Sequence, residues 1–131
     1  MNHNRENGLA LFGEIYGPEM AQGCAKFADS GEGFGPRQAE WTLDFVFGQV
    51  WSSDRLARKL RSCTVLGMLI GQGAAEEIKY HTKMGIRNGL TRAELEEIFY
   101  TAIPYCGFPA AATAKTAMLA AFTELDAEAQ P

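Results

Sequence analysis

A chain of 131 residues and 14.3 kDa suits one domain with its own core and is short for two. With 47% hydrophobic and 21% charged residues, disorder is excluded. The net charge of −4 leaves no overall basic footprint of the kind a nucleic-acid binder carries.

The elements follow in chain order. Residues 1–35 read as an N-terminal arm and loop. The arm opens Met-Asn-His-Asn-Arg-Glu-Asn, with no apolar run of a signal peptide behind it, and His3 falls in this polar start. Residues 29–36, Asp-Ser-Gly-Glu-Gly-Phe-Gly-Pro, mark a loop rather than a linker. The helical body spans 36–126 of a single domain, 1–131. Pro36 opens its first helix, with Ala39, Leu43, Val46, Phe47 and Val50 at helical spacing. Ser53 or Asp54 caps the next, whose inner stripe is Leu56, Leu60, Cys63 and Gly67. Because 63–70 is nearly apolar all round, this helix is expected to be central and buried. The run is far too short to span a bilayer. Gly71-Gln-Gly73 breaks it, and a helix over about 74–88 follows, closed by Asn88-Gly89.

Thr91-Arg-Ala-Glu94 has the capping-box pattern. Behind it Leu95, Ile98, Phe99, Ala102, Ile103 and Cys106 recur at three and four, with Pro104 and Gly107 near the end. A last helix starts near Pro109 with a small-residue stripe of Ala110, Ala114, Ala117, Ala121 and Leu125. Nothing alternates as a strand does. The fold class is all-α, with about five or six helices.

Chemistry concentrates in Glu76-Glu-Ile-Lys-Tyr-His81. Glu77 and His81 share a helix face. A carboxylate one turn from an imidazole can orient it and favour its protonated form, making an acid/base unit. A surface pair or a hydrogen-bonded core histidine accounts for the spacing as well, and on spacing alone outweighs catalysis. With two histidines in the chain and no ligand cluster, no metal site is expected. No GxSxG elbow suggests a serine nucleophile, and Gly71-Gln-Gly73 lacks the frame of a phosphate loop. Arg58 and Arg61 point together and can hold a carboxylate, or form a solvated helix face. Phe45, Phe47, Trp51, Tyr100 and Tyr105 line a pocket or fill the core. Cys24, Cys63 and Cys106 form neither a disulfide framework nor a CxxC, which points to a reducing compartment. The expectation is a soluble cytoplasmic protein with no nucleic-acid or membrane partner.

Taken in order, Phe47-Gly-Gln-Val-Trp51-Ser, Arg58-Lys-Leu-Arg61-Ser, Glu77-Ile-Lys-Tyr-His81, Asn88-Gly-Leu-Thr91 and Tyr105-Cys-Gly-Phe-Pro-Ala-Ala111 resemble the carboxymuconolactone decarboxylase family. The resemblance runs from about Phe45 to Phe122. It implies an all-helical subunit assembling into rings of three or six. Its decarboxylase branch acts without a cofactor, converting 4-carboxymuconolactone to an enol-lactone with release of carbon dioxide in aromatic catabolism. By position His81 matches the family histidine, Glu77 the acidic residue before it, Arg61 the family arginine and Trp51 the family tryptophan. The branch carries glutamate where this chain has Gln49 and asparagine where it has Ala112. A peroxidase branch resembling alkylhydroperoxidase D places a CxxC where this chain has Ala74 and Glu77, so thiol peroxidase chemistry is not expected.

The resemblance reverses the weighting on His81. It implies His81 as general acid/base, Glu77 orienting it, and Arg61 with Arg58 holding a substrate carboxylate. Gln49, Trp51 and Tyr105 complete the set of substrate-binding candidates. The expected function is a cofactor-independent lyase on a small carboxylated lactone or related anion. A lyase, isomerase or cyclase on another small substrate, and a non-catalytic oligomeric binding protein, stand as alternatives.

Overall fold

A computed structural model describes residues 3–130, and among them every regular element is helical. Seven α-helices and one π-helical segment divide between two compact units, Met1–Leu56 and Ala57–Pro131. The expected count of five or six helices is therefore too low. The shortfall lies in the N-terminal part, expected as arm and loop.

In the first unit, α1 (His3–Tyr16) and α2 (Pro18–Ser30) occupy most of that part, and His3 is the first residue of α1. Gly17 (φ 98°) turns the chain between them and Pro18 opens α2. The predicted loop survives at Gly31–Gly35. Pro36 opens α3 (Pro36–Trp41), as the sequence predicts. From Thr42 the helix widens into a π segment, Thr42–Trp51, where a regular α-helix was expected. The reason is in the spacing: the buried Leu43, Phe47 and Trp51 step by four, wider than the 3.6 of an α-helix. Their side chains meet α1. Phe12 lies edge-on to Phe47 at 5.2 Å between ring centroids, and Phe47 stacks on Trp51 at 6.3 Å. Such pairs contribute about 0.5–1.5 kcal/mol beyond their buried area. Two glycines let the backbones close up: a Cβ on Gly8 would overlap the Leu43 carbonyl, and one on Gly48 the Asn4 carbonyl.

The second unit packs α4 (Arg58–Gln72), α5 (Ala75–Arg87), α6 (Arg92–Cys106) and α7 (Phe108–Glu128) around Leu66, Ile70, Ile78, Leu95, Ala114 and Met118. Each large side chain of this set contributes about 1.5–3 kcal/mol by leaving water. As expected, α4 is central, touching the other three helices. It is not buried all round. Its inner face is Ser62, Leu66 and Ile70, while Leu60 and Met68 are 53% and 61% exposed. The predicted stripe of Leu60, Cys63 and Gly67 was the wrong one because a run apolar on every side gives periodicity nothing to choose by. Neither Ser53 nor Asp54 caps α4; it starts at Arg58 behind Ala57 without a side-chain cap. Ser53 Oγ instead accepts from Arg55 N at 3.4 Å in the preceding turn.

The remaining boundaries match their signals. Gly73 (φ 68°) ends α4, and Asn88 with Gly89 (φ 105°) closes α5. The capping box of α6 is complete: Glu94 N donates to Thr91 Oγ1, and Thr91 N to Glu94 Oε1, each at 3.0 Å. Ala114, Ala117 and Ala121 of the α7 stripe are buried, joined by Ala111 and Met118. No helix among the described residues is long and apolar enough to cross a membrane.

Candidate active site

The two faces of α5 carry different chemistry. Lys79 and Lys83 lie toward α7, where Lys83 Nζ reaches Glu124 at 3.4 Å and Glu128 at 2.9 Å, and Lys79 reaches Glu124 at 3.2 Å. These pairs hold α5 against α7 at the surface. His81 sits on a different face, flanked in sequence by the fully buried Ile78, Thr82 and Met84. Its side chain is 15% exposed, and Nδ1 is buried.

Glu77 lies one turn away, as the spacing predicts, with Oε2 at 3.9 Å from His81 Nε2. That exceeds hydrogen-bond range. Glu77 is also 59% exposed. It therefore acts on the imidazole through its charge and not, as expected, by fixing its orientation. Burial pushes the His81 pKa below its ordinary value, and the Glu77 carboxylate offsets only part of that. The expectation that the carboxylate would favour the protonated ring is corrected in sign: desolvation wins, and at neutral pH the imidazole is uncharged and able to accept a proton.

Arg58 and Arg61 stand together in the first turn of α4, both half-buried, with Arg61 Nε shielded from solvent. Their register against His81 follows from two contacts. Asn88 Nδ2 donates to the buried Ser62 Oγ at 3.1 Å, and a Cβ on Gly85 would lie 3.7 Å from Leu66. Continued along the α4–α5 hairpin, this register sets His81 level with the 66–70 turn, roughly 10 Å along the helix from Arg61. The spacing fits two ends of a small ligand better than a direct contact.

Tyr105 is placed elsewhere. It is 87% exposed and lines a groove of about 390 Å³ with Cys63, Gly67, Ile98 and Cys106, away from His81 and Glu77. Gln49 and Trp51 belong to the π segment of the first unit: Gln49 is exposed, and Trp51 is buried against Phe47. Phe45 and Tyr100 are exposed at 55% and 48%. Among the described residues no group of His, Cys, Asp and Glu could hold a metal ion.

One constellation escapes the sequence. Arg5 of α1 is 9% exposed; its Nε and Nη2 grip Asp44 of the π segment, and its Nη1 donates to Asp29 of α2 at 2.8 Å. The hydrogen bond from Asp44 is the main reason its pKa rises further above the arginine range. These residues are too far apart in sequence for spacing to connect them.

Residues 36–120 match the carboxymuconolactone decarboxylase family. The chain is 33% identical over 104 residues to the nitrosuccinic acid decarboxylase npaB of Metarhizium robertsii, covering 79% of this chain and 71% of that one. It is 35% identical over 66 residues to the 4-carboxymuconolactone decarboxylase of Acinetobacter baylyi, covering 50% and 49%. The match reaches from α3 through the catalytic candidates of α5 into α7, and the chain belongs to the carboxymuconolactone decarboxylase family.

Proposed function

We propose that this chain is a cofactor-independent decarboxylase of a small organic acid whose carboxylate sits beside an electron-withdrawing group, with His81 as its acid/base residue. The observation that carries this reading is the half-buried His81 beside the exposed Glu77, on a helix inside the matched family region. The names of the two relatives support the reaction class. An unsaturated lactone and a nitro group can each accept the electron pair that departing carbon dioxide leaves behind. The acceptor built into the substrate makes a protein-bound electron sink unnecessary.

In this reading Arg61, with Arg58, holds a carboxylate that is not lost, by charge-assisted hydrogen bonds. Its distance from His81 places the reacting carbon at the other end of a small anion. His81 is neutral in the free protein. A carbanion beside it favours the charged imidazole, so the ring takes a proton from solvent and delivers it to the carbon. Glu77 steadies the imidazolium between those steps. Gln49 can donate or accept a hydrogen bond but exchanges no proton at neutral pH. Turnover of 4-carboxymuconolactone is then weak and improves on Gln49→Glu, while an acid needing no second proton-exchanging group is preferred.

The test is release of carbon dioxide from nitrosuccinate and from 4-carboxymuconolactone by the unmodified chain and by His81→Ala. Release from either that disappears in the folded variant supports the proposal. Release from neither, or release indifferent to His81, overturns it. The same reading has copies of the chain associate as trimers or hexamers through apolar side chains left open on the second unit, among them Leu60, Met68 and Phe108. Sedimentation at 14.3 kDa alone at micromolar concentration would contradict that association.

A further inference from the structure

The contact between α1 and the π segment is built more tightly than helix packing requires. Gly8 and Gly48 abut backbone to backbone, so neither helix can rotate or slide without collision. Beside them Arg5 closes a fork on Asp44 with two nitrogens and ties the third to Asp29 of α2. A planar guanidinium that engages a carboxylate bidentately fixes direction as well as distance. Its grip falls on the first turn of the π segment, at Asp44.

A ten-residue π segment is an uncommon conformation that persists where surrounding contacts hold it, and such segments recur at functional sites. Each π residue turns through fewer degrees than an α residue. Over the span from Thr42 to Gln49 the two forms diverge by roughly a third of a turn. Relaxed to an α-helix, the segment would keep its ends and re-aim Gln49. In the π form Gln49 is exposed while Phe47, Gly48 and Trp51 are buried.

We infer that Arg5 is a positioning residue: by clamping Asp44 and Asp29 it holds Thr42–Trp51 in the π form and so sets the direction in which Gln49 is presented to substrate. This rests on the reading of Gln49 as a substrate-contacting residue. The clamp itself does not.

The experiment therefore has two arms. The first reads backbone amides 42–51 by NMR and hydrogen exchange in the unmodified chain, Arg5→Met and the milder Arg5→Lys. The expected result for Arg5→Met is displaced amide shifts and about tenfold faster exchange confined to the first unit, with Arg5→Lys between. Unchanged amides in 42–51 overturn the clamp. The second arm is a double-mutant cycle of Arg5→Met with Gln49→Ala, read as kcat and KM for carbon dioxide release from nitrosuccinate and 4-carboxymuconolactone. An effect routed through Gln49 makes Arg5→Met lower kcat by about tenfold in the unmodified chain and by less than about twofold once Gln49 is alanine. Equal losses in both backgrounds overturn the coupling. Full activity in Gln49→Ala alone overturns the reading of Gln49 and leaves the clamp to be judged on the amides.

Discussion

Arg5 in the first unit and Lys83 in the second are both cations with two carboxylate partners, and they do different work. The Arg5 guanidinium meets Asp44 with two nitrogens and Asp29 with the third, beside glycines that allow no movement. Lys83 offers one Nζ to Glu124 and Glu128, partners that are 41% and 49% exposed and also engage Lys79 and Arg87. A fork in a tight seat specifies one geometry. A point charge shared among flexible glutamates at the surface specifies little and contributes little. His81 lies between these extremes, half-buried with one exposed carboxylate nearby. That is the setting of a group that must change protonation state without leaving its place.

The largest effect expected is at this intermediate site. His81→Ala should lower decarboxylation by about 10² to 10⁴ while the far-ultraviolet circular dichroism stays helical. Next come the two clamps. Arg5→Met should destabilise the first unit by about 1–3 kcal/mol, read in urea unfolding, because it leaves Asp44 without its partner. Gly8→Ala should match it at about 1–3 kcal/mol, since the added methyl meets backbone rather than a movable side chain. By contrast Lys83→Met should move the melting midpoint by no more than about 2 °C. Equal effects for Arg5→Met and Lys83→Met would erase the distinction between the two kinds of ion pair.

A smaller effect concerns pH. The folded-state pKa of His81 is depressed, so the unfolded chain binds the proton more readily. The contribution of His81 to stability is complete above the unfolded value, about 6.5, and is lost as pH falls through the depressed folded value. Melting followed from pH 8 to pH 5 should show this slope, and His81→Gln should flatten it. Glu77→Gln should deepen the depression, because it removes the charge that opposes it.

The second unit was the more legible part of the fold. Asn88-Gly89, the Thr91–Glu94 box and the α7 alanines each act within a few residues, and local chemistry decided them. The inner face of α4 was not legible, since an apolar run offers no contrast from which to choose Ser62, Leu66 and Ile70. In the first unit the N-terminal helices were missed because α1 is nearly without apolar periodicity; what fixes it is its contact with the π segment through Gly8 and Arg5. The stepping by four of Leu43, Phe47 and Trp51 was the available sign of the π form. At the site, the i,i+4 relation of Glu77 and His81 was readable. The balance between burial and charge that sets the His81 pKa depends on neighbours far along the chain, and spacing alone carries no measure of it.

The most direct test of His81 as the acid/base residue is its ring titration by NMR set beside the pH profile of kcat/KM for carbon dioxide release. The chain has only His3 and His81, and His81→Gln assigns the signals. We expect the His81 pKa to lie below 6.5, and kcat/KM to fall as pH drops through that same value. A profile that stays flat while the His81 ring titrates would contradict the assignment.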